Sequence, residues 1–188
     1  AVALLAATML LGACHKKKPE VVAPPPTTNP TQPARDTASE NARAREAARQ
    51  DSIARSNQAR SAATEAARNS LSEMVFFEYD QAEIRSDMQD VLNRKVAILR
   101  ANPGLTLRIE GHADERGTVE YNLALSLRRA NTVRDYLTGF GIDASRLEVT
   151  GFGEERPLDP AQTEDAFAKN RRAEFQVTRG GDNLVPGR

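Results

Sequence analysis

The sequence has one cysteine, Cys14, and no tryptophan. A lone cysteine excludes a disulfide within the chain and any cysteine-built metal site. Histidine is scarce as well: His15 and His112 are the only two. Charge of either sign is not in excess, with 26 basic and 26 acidic residues, so nothing in the balance points to nucleic acid or another polyanion. Long apolar runs are also missing. The one apolar stretch, at residues 1–13, is too short for a bilayer span, which takes about 20 residues. Neither HExxH nor GxSxG occurs, which removes two common hydrolase signatures.

What is present is unevenly spread. The opening "AVALLAATMLLGAC" fits the apolar region of a secretory signal, and without the usual basic start it reads as a truncated lipoprotein signal over 1–13. "LLGAC" resembles the lipobox of bacterial lipoproteins, which implies cleavage before Cys14 and lipidation of that residue. Residues 14–36 are rich in Pro and Thr and read as an extended tether. Residues 37–70 are dominated by Ala, Arg, Glu, Asn and Ser, with Ile53 as the only large apolar side chain. No hydrophobic stripe and no coiled-coil seam can be drawn. The expectation is a solvated spacer, disordered or partly helical.

From 71 to 180 the pattern is that of a globular domain. Residues 74–79 read as a buried strand. Ser86 with Gln89 three later is a capping box opening a helix, with Met88, Leu92, Val96 and Leu99 on one face. The alternation of 105–110 gives a second strand. A helix follows over 118–137, with Leu123, Leu127, Ala130, Val133 and Leu137 as its expected core stripe. A third strand at 147–151, a short helix at 162–169 and a last strand at 172–178, with Ala173, Phe175 and Val177 inward, complete the order βαβαβαβ. This predicts an α+β fold with helices packed on one face of a small mixed sheet. Residues 181–188 read as a flexible tail.

The strand at 105–110 runs into "GHADERG". Three readings compete. His112, Asp114 and Glu115 have the chemistry for metal binding or acid–base catalysis, but no partner motif supports it. "GFGEERP" mimics a phosphate loop, yet Pro157 and Pro160 stand where a helix should begin. A solvated turn accounts for Glu115 and Arg116. A recognition site is the third reading. Asn122, Ser126 and Arg129 recur at helical spacing as a polar stripe, and if that stripe meets the strand end, Asp114 and Arg129 frame a pocket suited to a zwitterion.

"FFEYDQAEIR", "IEGHADERGTVEYNLALSLRRANTVRDYL", "GFGEERP" and "AKNRRAEF" together resemble the OmpA-like peptidoglycan-binding domain family over residues 74–178. With the lipobox and tether, the resemblance is to its lipid-anchored members. It implies binding to the peptidoglycan stem peptide through diaminopimelate, whose side chain ends in an ammonium and a carboxylate. On the matching motifs, Asp114 and Arg129 are the implied principal contacts and Asn122 a third, with Asp80 and Arg171 bordering the site. Arg171 is preferred to Arg172 because it shares parity with Ala173 and Phe175. His112 is read as structural.

The resemblance further implies an outer-membrane lipoprotein, anchored through acylated Cys14 with its domain facing the periplasm. His15 follows the cysteine, rather than the Asp that retains some lipoproteins in the inner membrane. The implied partners are peptidoglycan, the periplasmic propeller protein TolB and other Tol proteins used in envelope constriction, with no nucleic acid. Catalytic residues, metal and cofactor are expected to be absent. Two rivals stay open: a peptidoglycan-degrading enzyme and an adaptor that binds only protein.

Overall fold

The computed structural model describes residues 34–187. The signal segment, Cys14, His15 and the Pro-rich tether through residue 33 lie outside the described residues. The chain divides into two units, Ala1–Arg45 and Glu46–Arg188. Of the first, the described part is the opening of helix α1 (Ala34–Ser72). None of the described helices is long and apolar enough to cross a membrane.

In the second unit the elements after α1 are β1 (Val75–Phe76), α2 (Gln89–Ala101), β2 (Thr106–Gly111), α3 (Val119–Gly139), β3 (Leu147–Gly151), α4 (Glu164–Asn170) and β4 (Arg172–Arg179). The strands lie in the order β1-β4-β2-β3, with β2 and β3 parallel and the other pairs antiparallel. Register follows the alternation. Leu107 pairs with Leu147, and Ile109 with both Val149 and Phe175, placing these side chains in one core with Leu92, Val96, Leu99, Val133 and Leu137. Arg108, opposite Glu148 and Gln176, alternates onto the other face.

Five expectations need correction, the last of them the inward placing of Val177. The spacer is helix throughout its described length, and its end belongs to the core: Ala67 and Leu71 are buried. Burying one leucine contributes about 1.5–3 kcal/mol, so the domain boundary falls inside α1. Lys95, itself fully buried, fastens that end by donating to the carbonyls of Ser70, Leu71 and Glu73 at 2.8, 2.7 and 2.6 Å. These carbonyls close a helix C-terminus, where partners within the helix run out. The tail is likewise tied in. Leu184 is buried and its carbonyl accepts from Thr64, while Val185 exchanges two hydrogen bonds with Asn102.

The capping box does not form. Ser86–Met88 is a 3-10 turn, and α2 starts at Gln89 without a side-chain cap. The α3 stripe is the fourth correction. Leu123 and Leu127 are 48% and 42% exposed, whereas Asn122, Leu125, Ser126, Arg129 and Ala130 are buried. Two glycines explain the rotation. A Cβ on Gly111 would stand 1.9 Å from the Ser126 carbonyl oxygen, and one on Gly151 would stand 2.9 Å from the Leu127 nitrogen. The strands therefore approach the helix backbone itself at Ser126 and Leu127. Val177, paired beside a register shift at Thr106/Leu107, is 39% exposed.

Candidate functional site

The segment after β2 is held on both sides. His112 N–H donates to the Arg172 carbonyl, Ala113 N–H to that of Gly153, and Phe152 N–H to that of Gly111. This pins Asp114, 4% exposed, at the sheet's end. Its carboxylate is heavily engaged. Oδ1 accepts from the Arg116 backbone N–H and Nε, both at 3.1 Å, and Oδ2 accepts from Arg116 Nη2 at 2.7 Å and Arg171 Nη1 at 3.3 Å. Burial pushes the Asp114 carboxyl up, but the Arg116 and Arg171 contacts outweigh it and hold it below the ordinary carboxylate range.

Arg116 is clamped rather than solvated. Its guanidinium lies over the rings of Tyr79 (4.1 Å) and Phe167 (4.6 Å) and reaches Glu164 at 3.0 Å. Glu164, in the first turn of α4, also accepts from Arg171 Nη1 at 2.9 Å. Two arginines and two carboxylates thus alternate along one side of the site. Arg171 in addition donates to the Phe77 carbonyl, which ties β1's exit to the cluster.

Arg129 is fully buried. From the middle of α3 it donates to three carbonyls: Gln81 at 2.8 Å, His112 at 2.8 Å and Glu78 at 3.0 Å. Burial lowers its pKa to about 10, so it stays charged at neutral pH. A guanidinium has five N–H groups, and three are spent here. Asp80 sits on the loop that Arg129 fastens. It adopts a left-handed backbone with φ of 56°, a conformation Asp tolerates better than most residues. Its Oδ1 accepts from the Tyr121 hydroxyl.

These groups surround a cavity of about 120 Å³. Of the residues named from sequence, Asp80, Asp114, Asn122 and Arg129 line it; Arg171 stands behind Asp114. Asn122 donates to the Arg116 carbonyl and to Glu154. Ser126 does not reach the cavity; its hydroxyl accepts from Gly153 N–H and donates to the Leu123 carbonyl. Asp114 and Arg129 both line the cavity, as the framing of a pocket requires, and Asp114 has Arg116 and Arg171 as its ion-pair partners. Sequence reading missed Arg116, Tyr79 and Tyr121, all of which line the cavity. Arg116 carried a usable signal: an Asp two residues before an Arg, with Gly117 at φ 118° closing the turn.

Several known proteins are similar to this chain. A peptidoglycan-associated lipoprotein of Agrobacterium fabrum is 42% identical over 103 residues, covering 55% of this chain and 58% of the relative. One of Haemophilus influenzae is 43% identical over 99 residues, covering 53% and 65%. The chain therefore spans less than two thirds of these relatives' own length. The crystal structure of the peptidoglycan-associated lipoprotein from Burkholderia pseudomallei superposes with a TM-score of 0.54 at 35% identity, covering 55% of this chain and 88% of that one. Residues 76–171, just over half of the 188-residue chain, match the OmpA family model, and the chain belongs to the OmpA family.

Proposed function

We propose that the domain binds peptidoglycan without cleaving it, gripping the zwitterionic end of diaminopimelate in the stem peptide. The observation that supports this reading is a small cavity whose walls hold carboxylates from Asp80 and Asp114 and a guanidinium from Arg129 with N–H groups unspent on the protein. The ligand ammonium faces the two carboxylates, and its carboxylate faces Arg129. Asn122 adds a neutral polar wall, and Arg171 steadies Asp114 from behind. The relatives' name, peptidoglycan-associated lipoprotein, supports peptidoglycan as the polymer bound.

In the fuller reading, lipid on Cys14 anchors the chain in the outer membrane and the domain holds the cell wall on the periplasmic side. TolB and other Tol proteins are the proposed protein partners, in envelope constriction. Each charge-assisted contact contributes about 1.5–3 kcal/mol, so one site is weak, and confinement beside a polymer compensates by effective concentration. Co-sedimentation with purified sacculi tests the binding. The protein is expected in the pellet, with no soluble muropeptides released. Failure to pellet overturns peptidoglycan recognition, and release of soluble fragments overturns the non-enzymatic reading. Capture of purified TolB by the soluble chain tests the partner separately.

A further inference from the structure

We propose a divalent-cation site, of the class that takes Zn²⁺, on the sheet face turned away from α3, formed by Glu110, His112 and Glu174. Glu110 and Glu174 are directly opposed across the β2–β4 ladder, and His112 continues β2 two residues on, with the same parity as Glu110. One ligand atom from each residue falls in a group whose members all lie within 4.8 Å of one another. This inference does not depend on the peptidoglycan reading.

Three observations point to a ligand. His112 is 2% exposed, and neither of its ring nitrogens has a hydrogen-bond partner. A neutral imidazole carries one N–H and one lone pair, and burying both unmatched is uncommon. Its ring is stacked on Phe152 at 5.5 Å, leaving the edge to meet the carboxylates; Nε2 is 3.9 Å from Glu174 Oε1. Glu110 is 7% exposed, and its only close partner among the described residues is Arg108 at 3.9 Å. A carboxylate and an imidazole, both buried and both short of partners, therefore share one small space.

The donor set is one imidazole nitrogen and two carboxylates, which suits zinc with a fourth position for water. Tetrahedral zinc with bonds of about 2.0–2.2 Å holds its ligand atoms about 3.4 Å apart, so the side chains need to close by roughly an ångström. Arg172 donates to Glu174 Oε1 at 2.6 and 2.5 Å and would remain as the partner that orients this ligand. Its charge, with that of Arg108, opposes part of the attraction and keeps the site from being a tight one. The bound ion would join β2 to β4 beneath the pocket, since the His112 carbonyl is one of the three that hold Arg129.

The test uses the full soluble chain in a Cys14→Ser/His15→Ala background, which removes the other soft ligands. After chelator treatment, Zn²⁺ is titrated against a chromophoric competitor, and Co²⁺ absorption reports coordination. Saturable binding of a single equivalent is expected, together with a raised thermal midpoint. Glu174→Gln and Glu110→Gln, which keep size and shape, should each weaken binding by at least about tenfold. His112→Asn is read only alongside circular dichroism. Absence of saturable binding to the folded chain overturns the proposal and leaves water as the partner of His112. Equal binding by wild type and a folded Glu110→Gln/Glu174→Gln variant overturns it as well, by placing the ion elsewhere.

Discussion

Arg116 grips Asp114 from two residues away, with Nη2 2.7 Å from Oδ2 and Nε 3.1 Å from Oδ1. Adding the Arg116 backbone N–H and Arg171, each oxygen of Asp114 already accepts two hydrogen bonds. A carboxylate offers about four such positions, so Asp114 is saturated in this state. Among the described residues Asp80 accepts only from Tyr121. The capacity to take a ligand ammonium without rearrangement therefore lies at Asp80, with Asp114 supplying negative field and a rigid wall.

Asp80→Asn keeps the left-handed backbone tolerance and an acceptor for Tyr121 while removing the charge. Sacculus binding should weaken about tenfold, the lower end expected for one charge-assisted contact because Asp80 is exposed. The thermal midpoint should barely move. Asp114→Asn should lose binding and stability together, since a buried and a half-buried arginine each lose the more buried of their two counter-charges and keep only the exposed Glu164. Co-sedimentation and thermal melts on both variants decide it. Unchanged binding by Asp80→Asn removes Asp80 from the site.

Arg129→Ala should be a stability variant before it is a binding variant. Three carbonyls lose their donor at once, that of His112 in a buried position, and a buried orphan costs about 1–3 kcal/mol. Arg129→Lys should recover part of the stability but little binding, because an ammonium cannot reproduce the fork. Urea midpoints alongside sacculus binding separate the two effects. An Arg129→Ala variant as stable as wild type contradicts the clamp.

Leu123→Ala and Leu127→Ala should each change stability by no more than about 0.5 kcal/mol, as surface substitutions do, despite their place on the apolar periodicity of α3. Gly111→Ala should do far more damage, because its Cβ meets the Ser126 carbonyl oxygen at 1.9 Å. Denaturant midpoints for the three variants give the order directly.

The strand alternation, the element order and the position of the charged turn were legible in the sequence because period-2 and period-3.6 patterns report burial directly. The α3 face was not. A leucine stripe outvotes Asn, Ser and Arg when glycines on distant strands are not known to press against the helix. Arg129 was read as a surface group of the pocket, since nothing local announces three backbone acceptors from two separate segments. The end of α1 was hidden for a related reason. Ala67 and Leu71 look like sparse apolar residues in a polar run until Lys95, more than twenty residues on, supplies the amine that closes their helix.

Lys95 carries the last prediction. It is fully buried, donates to three carbonyls at the end of α1 and lies 4.0 Å above the Phe175 ring. Burial pushes its pKa down to about 7 from the ordinary 10.5, with Glu73 pulling it up and Arg94 down. Between those values the unfolded chain holds a proton that the native state has shed. Stability from this group therefore rises with pH from about 7 to 10.5, and it is penalised below 7, where the charge is buried. Lys95→Met removes the charge but strands the carbonyls of Ser70, Leu71 and Glu73. It should lower stability and flatten the pH slope, and it should speed amide exchange over residues 67–72 while leaving β2 protected. Urea midpoints from pH 6 to 9 and hydrogen exchange on both proteins make the comparison. Equal slopes would show that Lys95 does not titrate in this window, and unchanged exchange at 67–72 would show that α1 is docked by Ala67 and Leu71 alone.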